Sequence, residues 1–232
     1  MNTDELLFGT LPYVAVALAI VVTTIRWRRH PFSVSSLSSQ LLESRKLYWG
    51  SVPFHWGISL ILVGHLVALV IPRSIQLWNG DPLRLYALEA TGLALAFWAA
   101  FGIFVLIYRR VTDAKVQTVT TKMDIVVLTV VATQILTGIW VAIGHRWGSY
   151  WGTSTLSPYI WSLASFQPEI GFVSPMPLAV KIHIVCFFIF VAIFPFSRLV
   201  HIITLPLQYL FRPWQKVVGN RYMSDLRPQR SR

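Results

Sequence analysis

Four of the six histidines in this 232-residue sequence lie in strongly apolar stretches. His55 and His65 lie in FHWGISLILVGH, residues 54–65, and His183 and His201 lie in IHIVCFFIFVAIFPFSRLVH, residues 182–201. An ionisable side chain inside a bilayer is rare and by default indicates function, although a single histidine can serve only as a hydrogen bond between helices. Neutral imidazole is a common ligand of iron, zinc and copper. Two stretches with two histidines each therefore predict two shared ligands.

The composition is that of an integral membrane protein. Hydrophobic residues make up 55% of the chain, charged residues make up only 12%, and the mean hydropathy is +0.59. The net charge of +11 is concentrated between and after the apolar segments, so it predicts membrane topology and no nucleic-acid partner. The single cysteine, Cys186, excludes an intrachain disulfide, a cysteine-held cluster and covalent haem attachment. The acidic start, MNTDELL, favours a mature transmembrane helix over a signal peptide.

Five apolar segments are each long enough to cross a hydrocarbon core of about 30 Å. They are predicted as helices near residues 6–25, 52–72, 86–107, 124–144 and 179–205. No internal repeat divides the sequence, so residues 1–232 are predicted to form one all-α integral membrane domain, a bundle of five transmembrane helices around its ligands.

Lysine and arginine in the connections predict the orientation. Residues 26–51, 108–123 and the tail 206–232 are rich in these cations, whereas the connection 145–178 contains only Arg146. The positive-inside rule then places the N-terminus outside and the C-terminal tail in the cytoplasm, with the chain in the cell inner (cytoplasmic) membrane. Residues 33–50 are predicted to form either a short helix at the inner surface or a simple connector.

The predicted depths pair the histidines across two antiparallel helices. His65 and His183 lie in the outer half of the membrane, and His55 and His201 lie in the inner half. The step from His55 to His65 rises about 15 Å, and the step from His183 to His201 rises about 27 Å. We expect helix crossing and a kink at Pro195 to absorb this difference.

A b-type haem suits each pair, because it needs no covalent attachment and takes two neutral imidazoles. We predict two such haems, one held by His55 and His201 and the other by His65 and His183. Zinc or copper is the alternative, but two histidines supply only half of a tetrahedral zinc site, and no nearby Cys, Asp or Glu completes it.

Two further sets of residues suit a haem protein. Arg198, one turn before His201, is a candidate partner for a haem propionate, since a charge inside a helix needs a partner. Five glycines either let a porphyrin approach the backbone or simply pack membrane helices together. They are Gly57, Gly64, Gly92, Gly102 and Gly138.

At these residues the chain resembles the gamma subunit of membrane-bound respiratory nitrate reductase, a dihaem cytochrome b with five transmembrane helices. The resemblance covers nearly the whole chain and is most specific in SSQLLESRK, FHWGISLILVGH, TTKMDI, IHIVCFFIFVAIFPFSRLVHI and LPLQYL. It implies a quinol-oxidising membrane anchor in which His65 and His183 hold the haem nearer the periplasm, and His55 and His201 hold the other. It also implies cytoplasmic partners, an iron–sulfur beta subunit and a molybdenum alpha subunit that reduces nitrate. Family members can carry a lysine where this chain reads DPLRLYALEA, residues 81–90.

Quinol is expected to be oxidised beside the outer haem, in a pocket formed by Gly64, His65 and the start of the third helix. There Glu89 is a candidate acceptor of a quinol proton, and Arg84 is a candidate for orienting a quinol oxygen. Other functions stay open at this point. The same cytochrome could serve another reductase, of the heterodisulfide or sulfite type; the chain could instead be a proton-linked transporter or a purely structural anchor.

Overall fold

The computed structural model describes residues 2–29 and 45–202, with only the backbone of His201. Within these ranges the chain is helical and contains no β-strand. Five helices are long and apolar enough to cross a membrane, namely Glu5–Arg29, Arg45–Val70, Pro82–Thr112, Lys122–Gly144 and Leu178–Phe196. The five predicted spans are confirmed. The tail 206–232 and most of the segment 33–50 lie outside the described residues.

The α-helices are numbered in chain order. The long ones are α1 (Leu11–Arg29, after a π-helical turn Glu5–Thr10), α2 (Arg45–Val70), α4 (Pro82–Thr112), α6 (Lys122–Gly144) and α8 (Leu178–Ile193). The short ones are α3 (Pro72–Trp78), α5 (Ala114–Gln117) and α7 (Gly148–Ala164). Three 3-10 turns lie at Ile170–Phe172, Phe194–Phe196 and Arg198–Ile202.

Several predicted boundaries were wrong. The last helix was predicted to run to residue 205, but α8 ends at Ile193 because Pro195 has no amide hydrogen to continue the helical ladder. The connection 145–178 contains the 17-residue helix α7, whose many Gly, Ser and Thr residues hid it from a hydropathy reading. Helix α2 begins at Arg45, so the end of the segment assigned to the inner surface belongs to the span.

Side-chain caps fix the start of two long helices. The Asp81 carboxylate accepts hydrogen bonds from the backbone amides of Leu83 and Arg84, at 2.9 and 3.2 Å, and Pro82 occupies the first turn of α4. At α6, the Thr121 hydroxyl accepts from the Asp124 amide at 3.2 Å, while the Asp124 carboxylate accepts from the Thr121 amide at 2.9 Å. This reciprocal cap places Asp124 at the entry of α6.

Glycines bring α2 and α4 into close contact. A Cβ atom added to Gly57 would lie 2.8 Å from the Leu95 carbonyl oxygen and the Ala99 amide nitrogen. One added to Gly102 would clash with the backbone of Phe54 and Gly50. The interpretation of Gly57 and Gly102 as packing residues is therefore confirmed, and α2 and α4 pack backbone to backbone.

The remaining long helices form a second group. Helix α8 packs on α6 and α1, and α4 packs on α6, so α4 and α6 join the two groups. By contrast, α2 and α8, which carry the histidines, do not pack extensively on each other over their described residues. The bundle thus holds its two histidine helices in place through neighbours and not through mutual contact.

Helix α7 covers one end of the bundle. Ser157 donates to the Ala68 carbonyl at 3.1 Å, and the Trp161 indole donates to the Leu69 carbonyl at 3.0 Å. Both acceptors are among the last carbonyls of α2, which have no partner within the helix. We call this end, where α2 ends and α8 begins, the α7 end; the opposite end, where α6 begins, is the Asp124 end.

The N-terminal segment is tied to the α7 end. The buried Tyr159 hydroxyl donates to the Phe8 carbonyl at 2.7 Å, and burial raises the pKa of this phenol. The Asp4 carboxylate lies 3.1 Å from the Lys181 ammonium. Hydrogen bonds from the Ser174 hydroxyl and from Lys181 lower the pKa of Asp4, so the pair stays charged at neutral pH. The first helix is therefore anchored next to the start of α8.

Candidate functional site

His65 and His183 lie at matching depths on the two histidine helices. His65 is five residues from the end of α2 at Val70, and His183 is five residues from the start of α8 at Leu178. Both are therefore about 7.5 Å from their helix ends at the α7 end. The two histidines of this predicted pair thus lie at one depth, and their pairing stays a prediction.

The Nδ1 atom of His65 lies 2.8 Å from the Ile61 carbonyl oxygen. A carbonyl oxygen only accepts, so the proton of neutral His65 resides on Nδ1 and the lone pair resides on Nε2. Nε2 forms no hydrogen bond to the described residues. A metal-bound histidine usually donates its second ring N–H in this way, which fixes both the tautomer and the ring orientation.

His183 is oriented by three residues of α6. Its Nδ1 lies 3.0 Å from the Thr137 hydroxyl, its Nε2 lies 3.1 Å from the Gln134 amide nitrogen, and Gly138 lies beside the ring. The Gln134 amide nitrogen can only donate, so neutral His183 has its proton on Nδ1 and donates it to the Thr137 hydroxyl, which in turn donates to the Thr133 carbonyl at 2.8 Å or the Gln134 carbonyl at 3.1 Å. The Nε2 lone pair then accepts from Gln134. A metal at Nε2 requires Gln134 to release this contact.

Sequence reasoning missed Thr137 and Gln134, although both are polar residues inside the apolar stretch of α6. Their polarity is the one sequence signal that could have identified them as contact residues, because a polar side chain in a membrane helix is expected to have a hydrogen-bond partner. Gly138 was recognised only as one of five small residues. A Cβ atom there would lie 3.1 Å from Cε1 of His183, so this glycine makes room for the imidazole.

The second predicted pair is described only in part. His55 Nδ1 lies 2.8 Å from the Ser51 carbonyl oxygen and 3.1 Å from the Ser51 hydroxyl, so His55 also carries its proton on Nδ1. The backbone of His201 belongs to the 3-10 turn Arg198–Ile202, whereas its side chain lies outside the described structure. The pairing of His55 with His201 stays a prediction.

The residues present suit a bis-histidine haem. The Nδ1 atoms of His55, His65 and His183 all donate, which leaves each Nε2 unprotonated, although Nε2 of His183 accepts from Gln134 in this structure. Helices α2 and α8 do not pack extensively on each other over their described residues. Gln134 Oε1 is buried without a partner among the described residues, which is unusual for an amide inside a protein. No group of three His, Cys, Asp or Glu side chains suited to a metal ion occurs in the described part of the chain.

Glu89 and His65 occupy about the same level on neighbouring helices. Gly57 on α2 faces Leu95 and Ala99 on the antiparallel α4. Eight residues further along α2 is His65, and eight residues back along α4 are residues 87–91. Gly64 is in the same region, and a Cβ added there would meet no atom within 4 Å. The predicted site residues Gly64, His65 and Glu89 thus share one depth near the α7 end.

The Glu89 carboxylate already caps α7. Its Oε1 accepts from the Ser149 backbone amide at 2.8 Å and from the Ser149 hydroxyl, and Asn79 donates to that hydroxyl oxygen at 3.2 Å. Ser149 is in the first turn of α7, where amides lack partners within the helix. Arg84 lies elsewhere at this end, with its guanidinium 5.0 Å from the centre of the Trp78 ring. The network of Glu89, Ser149 and Asn79 was not predicted.

Arg198 contacts a carboxylate at the Asp124 end. Its Nε lies 3.3 Å from Asp124 Oδ1, and its Nη2 donates to the Val119 carbonyl at 3.1 Å. Arg110 approaches the other carboxylate oxygen of Asp124 at 3.2 Å. The charge of Arg198 was expected to need a partner, and Asp124 is such a partner. The sequence analysis named Asp124 only as part of the TTKMDI motif.

These features define a class of protein, a helical membrane protein with two histidines on its second apolar span and one, His183, on its fifth. A family profile described as nitrate reductase gamma subunit matches residues 4–220. The chain belongs to the nitrate reductase gamma subunit family, which confirms the resemblance seen in its motifs.

Similarity to individual proteins supports the same family assignment. The chain is 30% identical to the nitrate reductase gamma chain of Bacillus subtilis over 217 residues, which cover 91% of this chain and 96% of that one. It is 26% identical to the respiratory nitrate reductase 1 gamma chain of Escherichia coli over 214 residues, 90% of this chain and 95% of the other. It is also 33% identical to the nitrate reductase-like protein NarX of Mycobacterium tuberculosis over 231 residues, but these cover only 35% of that longer protein.

Proposed function

We propose that this chain is the quinol-oxidising cytochrome b subunit of a membrane-bound nitrate reductase. One observation carries the proposal. In a member of the gamma subunit family, His65 and His183 lie at matching depth on two helices that do not pack extensively on each other, and each donates its Nδ1–H to its own helix or to the neighbouring helix. This arrangement suits a bis-imidazole ligand set.

Each histidine has a defined task in this proposal. His65 and His183 bind one b-type haem near the α7 end, and His55 and His201 bind a second one near the Asp124 end. Haems held by these histidines would supply one-electron redox chemistry. Ile61, Thr137 and Ser51 hold the protons on Nδ1, so that the Nε2 atoms stay unprotonated.

The proposed orientation places the α7 end outside the cytoplasmic membrane. Cations gather at the other end, where α1 finishes with Arg26, Arg28 and Arg29 and α4 finishes with Arg109 and Arg110. The positive-inside rule assigns that end to the cytoplasm. Electrons from quinol then leave towards an iron–sulfur beta subunit and a molybdenum alpha subunit, where nitrate is reduced; these partners are inferred from the family.

Quinol is proposed to bind at the level of Gly64 and His65. A Cβ atom at Gly64 meets no protein atom within 4 Å, which suits close approach of a planar ring to the backbone. Glu89 Oε1 is engaged by Ser149, so Oε2 is the oxygen proposed to accept a quinol proton. Arg84 is proposed to orient a quinol oxygen, for which its side chain must leave the face of Trp78.

Reduced-minus-oxidised spectra of the full chain in membranes test this function. We expect b-type bands with two components of different midpoint potential. His65→Ala and His183→Ala should each remove the same component, and His55→Ala and His201→Ala should each remove the other. His145→Ala is the matched control, because His145 follows the end of α6 and is not a proposed ligand; it should keep both.

Three results would contradict the proposal. Absence of b-type bands would favour a transporter or a plain anchor. Loss of the same component in His65→Ala and His201→Ala would overturn the pairing. Haem reduction by quinol without nitrate reduction, in a preparation that retains its cytoplasmic subunits, would assign the chain to another reductase.

A further inference from the structure

The segment between α8 and His201 has an irregular backbone. After Ile193 the chain forms the 3-10 turn Phe194–Phe196, passes through an extended residue at Ser197 and then forms the turn Arg198–Ile202. Pro195 causes the break, and several carbonyl groups lose their helical partners. The Ser197 side chain restores two bonds, donating to the Phe194 carbonyl at 2.8 Å and accepting from the Leu199 amide at 3.1 Å. A metal-ligating residue on such an irregular segment needs contacts from other elements of the fold to fix its position.

Helix α1 supplies the first support. The Arg26 Nη1 atom donates to the Pro195 carbonyl at 2.8 Å and to the Ser197 carbonyl at 3.0 Å. These are hydrogen bonds from a charged donor, which are stronger than neutral ones. Arg26 therefore holds the backbone at the break itself, several residues before His201.

Helix α6 supplies the second support through Asp124. The residue is only 8% exposed, and its two carboxylate oxygens have separate tasks. Oδ2 accepts from the Thr121 amide and from Arg110, which caps α6 and joins it to α4. Oδ1 lies 3.3 Å from Nε of Arg198, the first residue of the turn that contains His201.

Capping of α6 does not require the contact between Asp124 and Arg198, because the cap uses only the bonds between Asp124 and Thr121. A buried carboxylate between two guanidinium groups is desolvated, and removing one partner of such a group is strongly destabilising. The contact also leaves less uncompensated positive charge one turn from a proposed haem ligand. Charge near a haem is one of the levers that set its reduction potential.

We propose that Asp124 is a positioning residue for His201. Acting through Arg198, it fixes the turn that carries this ligand and moderates the positive charge beside the haem at the Asp124 end. This inference rests on the proposed function, because it requires a haem held by His55 and His201. It assigns Asp124 no contact with haem or quinol.

The test uses full-length protein in its membrane complex and follows the two haems separately by redox titration and by electron paramagnetic resonance. Asp124→Asn should raise the midpoint potential of the haem at the Asp124 end, because the freed positive charge favours the reduced form. It should also shift that haem's low-spin signal, which reports the orientation of the imidazole planes. The other haem should be unchanged, and Asp124→Glu should restore a potential near the wild-type value.

Asp113→Asn is the matched control. Asp113 is also a helix-capping carboxylate at this end, but it accepts from the backbone amides of Lys115 and Val116. It should leave both potentials unchanged. A double variant, Asp124→Asn with Arg198→Gln, should behave like Arg198→Gln alone, since Asp124 is proposed to act through Arg198.

The outcomes separate this inference from the proposed function. An unchanged midpoint potential and resonance signal in Asp124→Asn would overturn the inference about Asp124. Additive shifts of the midpoint potential in the double variant would also overturn it. Equal loss of both haems in Asp124→Asn, with no recovery in Asp124→Glu, would make Asp124 a general folding residue and would also overturn it. Absence of b-type haem from the wild-type chain would instead overturn the proposed function.

Discussion

The Thr137 hydroxyl lies 3.0 Å from His183 Nδ1 and donates its only proton to the Thr133 or the Gln134 carbonyl. Thr137 therefore accepts from the imidazole and keeps Nε2 unprotonated. Replacing it by valine removes this acceptor with little change in shape, and loss of such a partner typically weakens metal binding by about 10–100-fold. We expect Thr137→Val to lower the affinity for the haem held by His183, measured as haem retained during purification and by titration with haem.

Thr133→Val is the control for this change. Thr133 is one turn earlier on α6, and its hydroxyl donates to the Thr129 carbonyl at 2.9 Å. It should retain both haems, and Thr137→Ser should behave like wild type because serine also accepts. Full haem content in Thr137→Val would show that the Nδ1 contact is dispensable.

Gly138 sets the distance between α6 and the His183 ring. A methyl group there would lie 3.1 Å from Cε1 of the imidazole, so the ring must move by a few tenths of an ångström. We expect Gly138→Ala to shift the low-spin resonance of the haem bound by His183. Gly144→Ala is the control on the same helix, since its methyl group would lie 3.4 Å from the Trp140 ring, an ordinary contact. Identical spectra for both variants would contradict a role for Gly138.

Gly102 and Gly64 should respond to alanine in different ways. Gly102 packs against the backbone of Phe54 and Gly50, so an added methyl group must separate α2 from α4. Overpacking of this kind costs about 1–3 kcal/mol, and we expect a lower thermal unfolding temperature for Gly102→Ala. A methyl group on Gly64 meets no protein atom within 4 Å, so Gly64→Ala should leave that temperature unchanged and raise only the KM for quinol.

The sequence predicted the parts of this fold that depend on composition and helical spacing. Five apolar segments predicted five spans, and the ten-residue spacing of His55 and His65 placed them at different depths of α2. The sequence did not predict the elements whose position depends on tertiary contacts. Helix α7 is polar and rich in Gly and Ser, and it is held by contacts to the end of α2, such as the one from Ser157 to the Ala68 carbonyl.

The same limit applies to the site. Histidines in apolar stretches are conspicuous, so the ligands could be proposed from residue type alone. Their partners could not, because Thr137 and His183 are 46 residues apart in sequence and meet only when α6 packs on α8. Asp124 was hidden for a similar reason: its capping motif is local, whereas its contact with Arg198 joins distant segments.

The C-terminal tail, which lies outside the described residues, supports a prediction from sequence. Residues 213–232 contain five cations, Lys216, Arg221, Arg227, Arg230 and Arg232. We expect deletion of residues 213–232 to leave both haems but to weaken retention of the cytoplasmic subunits during purification. Replacing the five cations by glutamine in the full-length chain distinguishes the effect of the tail's charge from the effect of its length. Unchanged retention in both variants would reduce the tail to a topology determinant.

Glu89 has an observed role and a proposed one, and two substitutions separate them. Oε1 caps α7 through Ser149, and Oε2 is the proposed acceptor of a quinol proton. Glutamine can present the same oxygen to Ser149 but is a poor proton acceptor, whereas alanine loses both functions. General base catalysis typically contributes 10²–10⁴-fold, so we expect Glu89→Gln to slow quinol oxidation by about that factor while both haems stay bound.

Steady-state quinol oxidation and the rate of haem reduction by quinol measure this effect, with Ser149→Ala as the control that weakens only the cap. If Glu89 accepts the proton, Glu89→Gln and Glu89→Ala are both slow and Ser149→Ala is close to normal. Normal rates in Glu89→Gln, with slow rates in Glu89→Ala and Ser149→Ala, would restrict Glu89 to holding α7. The proton of quinol would then pass to another group or directly to water at the α7 end.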